Sequence, residues 1–148
     1  MGNSFLINFD AKKCEATFSN NKKYSFKHLA ACDGVRSSIR DSFFQANQNP
    51  KYSGYSAWRG IGKSALKKIN FALGPGSHVV SYPINSDGDV SFVAVRKEDF
   101  QFKESWKELG SLSNLLKDFS TFDSSNFPEL KAEEPLYKWG IYIRPPLQ

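Results

Sequence analysis

His78 and Tyr82 are the two residues of this 148-residue chain whose types and spacing best suit acid–base work. Four residues apart in a stretch that alternates like a strand, they project from one face with about 13 Å between them, so a paired acid–base site is geometrically possible. General burial preferences favour a plainer reading, a partly exposed strand histidine and a core tyrosine. A second cluster surrounds Asp33-Gly34. The carboxylate can accept hydrogen bonds from a ribose hydroxyl or a water, and Gly34 permits close backbone approach. The start of the following helix offers free N–H groups to an anion, with Ser37 and Arg36 or Arg40 as supporting donors. From the residues alone, a capped strand-to-helix turn is the commoner outcome. Tyr55, Trp58 and Trp139 can wall an aromatic pocket, although large aromatics in long strands are mostly core. Arg59 can hold a substrate carboxylate or pair with a surface acid, and the second is favoured. His28 has no suitably spaced partner.

Two glycine-rich stretches fail as nucleotide motifs. Gly60-Ile61-Gly62-Lys63-Ser64 ends like a phosphate loop, but the required first glycine falls on Ala57. Gly74-Pro75-Gly76-Ser77-His78-Val79 would need glycine at 79 and a helix after it, and Val79 begins a strand instead. Cys14 and Cys32 lack the spacing of zinc ligands, so no metal site is expected. No apolar run reaches the roughly 18 residues of a membrane span, and the start lacks a basic stretch followed by an apolar core. A cytoplasmic setting without membrane contact is the expectation. The formal charge of +5 owes much to Lys12, Lys13, Lys22, Lys23 and Lys27. Beside Phe18, Tyr24 and Phe26 they can form a basic aromatic strip for single-stranded nucleic acid, but water-exposed hairpin turns explain them more simply.

The elements that position these groups follow from periodicity. Residues 4–9, 14–18 and 23–28 alternate apolar and polar and predict a strand meander. Residues 29–32 predict a short buried strand, and Val35 and Ile39 place a helix after the Asp-Gly turn. A loop is expected over 45–50, then a long strand over 52–63 whose glycines mark a bulge or a close backbone approach. Strands over 78–84 and 89–96 are joined by Asn85-Ser86-Asp87-Gly88, a hairpin turn. Ser111 or Ser113 caps a helix through Phe119, and Ser124 or Ser125 a short one through Leu130. Residues 136–144 predict a last strand with Tyr137, Trp139, Ile141 and Ile143 on one face. The fold class is α+β: a mixed, largely antiparallel sheet with helices on one face, and no boundary between two domains is evident.

Three stretches in order resemble the FAD-dependent aromatic-ring monooxygenases of the salicylate hydroxylase and p-hydroxybenzoate hydroxylase type. Residues 29–40, with Asp33-Gly34, Ser37 and Arg40, are similar to that family's Asp-Gly motif, although Ala31 stands where glycine is usual. Tyr52-Ser53-Gly54-Tyr55-Ser56-Ala57-Trp58-Arg59-Gly60 resembles its Tyr-Thr-Gly-Tyr-x-Ala-Trp-Arg-Gly strand. Residues 74–84 resemble its Gly-Pro-Gly-x-His-x-x-x-Tyr-Pro strand, and residues 139–147 the segment before its second FAD motif.

The resemblance implies that Asp33, Gly34, Ser37 and Arg40 contact FAD and the approaching NAD(P)H. It also implies that His78 and Tyr82, with Tyr55 and Trp58, line the pocket for a small aromatic substrate. There His78 would take a phenolic proton, enriching the ring for attack by oxygen derived from O2. Residues 1–44 then form a meander with the Asp-Gly motif, and 45–148 a substrate-binding sheet with covering helices. The family's Gly-x-Gly-x-x-Gly unit and its late Gly-Asp motif do not occur, so the chain reads as an inactive fragment of such an enzyme. The competing reading is a non-catalytic module that binds nucleic acid through the basic strip or a protein through an exposed sheet edge.

Overall fold

The computed structural model describes residues 4–44, 49–99, 108–131 and 134–146. The loop expected over 45–50 lies mostly outside them, as does Leu147 at the end of the last resembling segment. The chain divides into two compact units, residues 1–50 with 144–148, and residues 51–143.

The first unit carries an antiparallel meander of β1 (Leu6–Asp10), β2 (Glu15–Phe18) and β3 (Lys23–Ser25). Its turns are fixed by short polar side chains. Asp10 Oδ1 accepts from the Lys12 and Lys13 amides at 2.9 and 3.0 Å, and Asn20 Oδ1 from the Lys22 amide at 3.0 Å. Such local acceptors stand in for backbone partners in tight turns. The helix α1 (Ser38–Phe44) follows the Asp-Gly turn, and its Phe43 ring lies 5.7 Å from that of Phe9. Residues 29–32 are not a strand, and Leu29 is exposed. A strand persists by ladder pairing, and no described strand pairs with this run.

The second unit is built on a six-stranded sheet in the order β5-β6-β7-β4-β9-β8, antiparallel at every described pairing. The strands are β4 (Lys51–Lys63), β5 (Asn70–Gly74), β6 (Ser77–Pro83), β7 (Asp89–Lys97), β8 (Leu109–Gly110) and β9 (Leu136–Ile143). The β6–β7 hairpin turns through Asn85-Ser86-Asp87-Gly88 as expected, whereas β5 and β8 were not anticipated. The register of β4 against β9 slips between Tyr52 and Ser56. Gly54 sits in that bulge at φ +82°, where a side chain would be strained.

One face of this sheet is covered. Helix α2 (Leu112–Asp118) begins at Ser111, whose side chain accepts from the Asn114 amide, and its Leu115, with Phe119 just beyond, packs on Trp58, Val79, Phe92, Ala94 and Leu136. Burying each such side chain stabilises the fold by about 2 kcal/mol. A 3-10 turn at Ser124–Asn126 is capped by Asp123 rather than by Ser124 or Ser125, because the carboxylate accepts from the Ser125 amide. The Ser81 hydroxyl donates to the Asn126 carbonyl at 2.9 Å and holds this turn on the sheet. Further along, Lys63 and Glu129 exchange backbone hydrogen bonds of 3.0 and 2.8 Å. A Cβ on Gly62 would meet the Glu129 carbonyl there, so glycine is what lets the two backbones pair.

Candidate functional site

Directly paired residues of an antiparallel sheet point to the same side, so register sorts the second unit's side chains into two sets. Ser56, Trp58, Val79, Ser81, Phe92 and Ala94 face the helices and are buried. Among the described residues, no helix of this unit lies on the opposite face. Across it runs the row His78, Val95, Ala57 and Trp139; the next row holds Val80, Val93, Arg59 and Tyr137, and beyond lie Tyr82, Ser91 and Ile61.

His78 and Tyr82 therefore share the uncovered face, as their spacing predicts, with Val80 between them. Phe71, from the edge strand β5, stacks on the His78 imidazole at 5.7 Å with the rings tilted by only 12°. Among the described residues neither the imidazole nor the Tyr82 hydroxyl has a protein hydrogen-bond partner, which leaves both available to a ligand. Tyr55 joins the same face and is exposed.

Trp58 does not join them. Its side chain lies in the core on the other side of the sheet, 1% exposed, and its indole Nε1 donates to Asp118 Oδ2 at 2.9 Å. Around that carboxylate lies a half-buried ionic network. Lys138 Nζ is 2.7 Å from Asp118 Oδ2 and 3.4 Å from Glu98 Oε2, while Arg96 Nη1 is 2.9 Å from Asp118 Oδ1. With two cations and two carboxylates mutually satisfied, this cluster fastens the end of α2 to the sheet.

A cavity of about 480 Å³ opens on the uncovered face beside β9, lined by Arg59, Ile61, Ile84, Glu134, Tyr137 and Trp139 among others. The guanidinium of Arg59 forms no ion pair or hydrogen bond among the described residues, contrary to the surface pairing favoured from sequence. Ile61, Glu134 and Tyr137 were missed at the sequence level. Tyr137 could have been found, since its parity in β9 matches that of Trp139.

In the first unit, Asp33, Ser37 and Arg40 are organised around the start of α1. The Ser37 side chain is buried, and its Oγ accepts from the Arg40 amide at 3.0 Å, the geometry of an N-cap. Asp33 Oδ2 accepts from the Ile39 amide at 3.3 Å. The Ser37 hydroxyl, hydrogen-bonded to the Asp33 carboxylate, holds the Asp33 carboxyl below the usual carboxylate range against the opposing effect of burial, with lesser help from the Ile39 amide. Gly34 has φ +79° with open space where a Cβ would be. An ionised, exposed carboxylate beside such a backbone fits a ribose or dinucleotide contact. Arg40 Nη2 donates to the Pro145 carbonyl, and Arg144 makes a two-point pair with Asp41, at 2.9 and 3.0 Å. Both arginines thereby join α1 to the segment 144–146.

The lysines do not form one strip. Lys12 and Lys13 lie at the β1–β2 turn and Lys22 at the β2–β3 turn, at the opposite end of β2 and roughly 13 Å away at strand spacing. Lys23, at the start of β3, reaches back across β2 and is neutralised by Glu15 at 3.1 Å. Among the described residues no cluster of metal-ligating side chains is present, and no helix is long and apolar enough to cross a membrane.

Comparison with known proteins bears on this arrangement. The chain is 27% identical over 123 residues to the 3-amino-4-hydroxybenzoate 2-monooxygenase PtnB3 of Streptomyces platensis, covering 78% of this chain. A solved salicylate hydroxylase, described as a substrate complex, superposes over 95% of the chain with a TM-score of 0.66 at 16% identity. In sequence the chain is thus similar to an aromatic-ring monooxygenase, and in fold to a salicylate hydroxylase. No family model matches it. The chloroplastic zeaxanthin epoxidase of Nicotiana plumbaginifolia is also similar, 26% identical over 155 aligned positions and 99% of this chain. The chain spans 31% of the Streptomyces monooxygenase, 23% of the epoxidase and 41% of the salicylate hydroxylase.

Proposed function

We propose that this chain is the substrate-facing portion, together with the Asp-Gly motif, of a cytoplasmic flavoprotein monooxygenase that hydroxylates an aromatic acid or phenol with FAD, NAD(P)H and O2. The observation that carries the reading is the asymmetry of the six-stranded sheet. One face is packed by α2 and the 3-10 turn, while the other bears His78, Tyr82 and Tyr55, with no hydrogen-bond partner on the imidazole or the Tyr82 phenol among the described residues.

Bound FAD supplies the oxygen-transfer chemistry in this reading. The chain's own residues orient the ring and handle its proton. His78 Nε2 or Nδ1 takes the phenolic proton, which makes the ring a better nucleophile, and Phe71 fixes the imidazole plane by stacking. Tyr82 donates to a ring substituent from the far side of Val80, and Tyr55 extends the wall. Asp33 and Gly34 are the residues suited to a ribose contact. Ser37 and Arg40 hold the α1 start that presents them.

The similarity to zeaxanthin epoxidase over nearly the whole chain favours a second reading, oxygen transfer to a non-aromatic double bond by the same architecture. The absorbance spectrum of the protein expressed with its neighbouring sequence tests both readings together, since bound oxidised flavin gives a yellow chromophore. A colourless protein that binds no added FAD refutes them. Product analysis then separates a phenol from an epoxide.

A further inference from the structure

We propose that Asp87-Gly88, in the turn between β6 and β7, is a self-modification site. The Gly88 amide nitrogen closes on the Asp87 carboxyl to give a succinimide, with assistance from Lys63, and hydrolysis leaves an isoaspartyl link. The step needs neither flavin nor substrate, so it stands apart from the hydroxylase reading.

The chain contains two Asp-Gly steps, which differ in their surroundings rather than in backbone shape. Gly34 and Gly88 have φ +79° and +82°, and Asp33 and Asp87 are both exposed. In each step the glycine has no Cβ to obstruct an approach to its nitrogen. At the first, the carboxylate is already engaged. Asp33 accepts from the Ser37 hydroxyl and from the Ile39 amide, the latter at 3.3 Å, so it is drawn towards α1 and kept ionised. A tethered, ionised carboxylate is a poor electrophile.

The second step is arranged differently. Asn85 Oδ1 accepts from the Asp87 and Asp89 amides at 3.0 and 3.1 Å and passes over the Gly88 amide between them. Among the described residues the Gly88 N–H has no acceptor, and the Asp87 carboxylate takes only a long bond of 3.4 Å from the Ser86 hydroxyl. Lys63 Nζ, held 2.5 Å from Asp89 Oδ1, donates to the Asp87 carbonyl at 3.2 Å. That carbonyl and the Gly88 nitrogen form one resonant peptide group. Charge developing on the nitrogen therefore spreads to an oxygen that faces an ammonium.

The chemistry balances without a further reagent. The Gly88 nitrogen gives up its proton and bonds to Asp87 Cγ; the carboxyl C–O bond breaks, and the hydroxyl leaves as water. Water then reopens the ring, either at Cγ, which restores aspartate, or at the Asp87 main-chain carbonyl, which leaves the chain running through Cγ. The lengthened turn no longer matches the Asn85 hydrogen bonds that shape it.

The test is warm incubation of the folded 148-residue chain at neutral pH. Isoaspartate is counted by methyl transfer from labelled S-adenosylmethionine with a protein isoaspartate methyltransferase, and located by peptide mapping with electron-transfer fragmentation. The expected result is isoaspartate forming at Asp87 about tenfold faster than at Asp33, the scale of one hydrogen bond to a charged group, with the two rates converging in urea. Lys63→Gln should slow the reaction at Asp87 by about threefold, less than the effect of a buried oxyanion donor because the turn is wet, and Lys63→Arg should keep the original rate. Ser37→Ala should bring the rate at Asp33 closer to that at Asp87. No isoaspartate at Asp87, equal rates at the two steps in the folded chain, or a rate in Lys63→Gln that is unchanged or raised overturns the proposal.

Discussion

The Trp58 indole donates to Asp118 Oδ2 at 2.9 Å, joining the middle of β4 to the last residue of α2. The same oxygen takes the Lys138 ammonium, which is only 14% exposed and lies 5.0 Å from the Trp58 ring centroid.

Removing that carboxylate leaves a cation and an indole N–H without their acceptor. Asp118→Ala is therefore expected to destabilise the second unit by about 2 kcal/mol, somewhat less than for a fully buried pair because the network is partly solvated. Urea unfolding followed by tryptophan fluorescence measures this. A loss below about 0.5 kcal/mol, the range of ordinary surface substitutions, would mean the network is ornamental.

Asp33 gives a pH signature. Its folded carboxyl is lowered, chiefly by the Ser37 hydroxyl, so the folded state favours the ionised form. The capping contribution is fully present above the unfolded carboxylate value and is lost as pH falls through the lowered folded value. Carboxyl-carbon NMR should place the Asp33 midpoint below that of an unstructured aspartate. Ser37→Ala should raise that midpoint towards ordinary and speed amide exchange at Arg40, at a cost of about 1 kcal/mol to α1. An unchanged midpoint in this variant would show that Ser37 does not set it.

At Gly62 the prediction is steric. Alanine there places a methyl group against the Glu129 carbonyl, so Gly62→Ala should cost about 1–3 kcal/mol and break the Lys63–Glu129 pairing. Alanine at Gly34, which has open space around it, tests backbone strain instead. Paired thermal melts compare the two.

On the proposed hydroxylase reading, His78→Ala in the full-length protein should uncouple NAD(P)H oxidation from hydroxylation by about a hundredfold, the scale of a lost general base. Phe71→Ala should have a milder effect of the same kind, because it removes only the ring that orients the imidazole. Oxygen consumption against product yield reads both. Undiminished hydroxylation in His78→Ala would remove the proposed base.

The parts of this fold that could be read from sequence are those governed by local chemistry. The β6–β7 hairpin followed from Asp87-Gly88 between two alternating runs, and a serine cap, at Ser111 or Ser113, from its position at the start of an apolar helix face; the cap is Ser111. β5 was overlooked although Ile69, Phe71 and Leu73 alternate cleanly, because their apolar side chains lie on the exposed side, where alternation is expected to be polar. β8 has two residues and no pattern to find. Residues 29–32 looked like a strand, but a strand is a property of a pair, and its composition cannot reveal whether a neighbour is present. Trp58 could have been separated from Tyr55 by parity alone, since residues three apart in a strand face opposite ways. The solitary charge on Arg59 depended on distances to acids far away in the chain, which sequence does not contain.

The outer rim of β5 has a practical consequence. Its outer backbone groups pair with no other strand among the described residues and run alongside Ile69, Phe71 and Leu73, the last 75% exposed, so the strand offers both a hydrogen-bonding template and an oily flank. Crowded solutions of this polypeptide will tend to zip together along that border, and a lysine in place of Leu73 is the economical way to keep them clear.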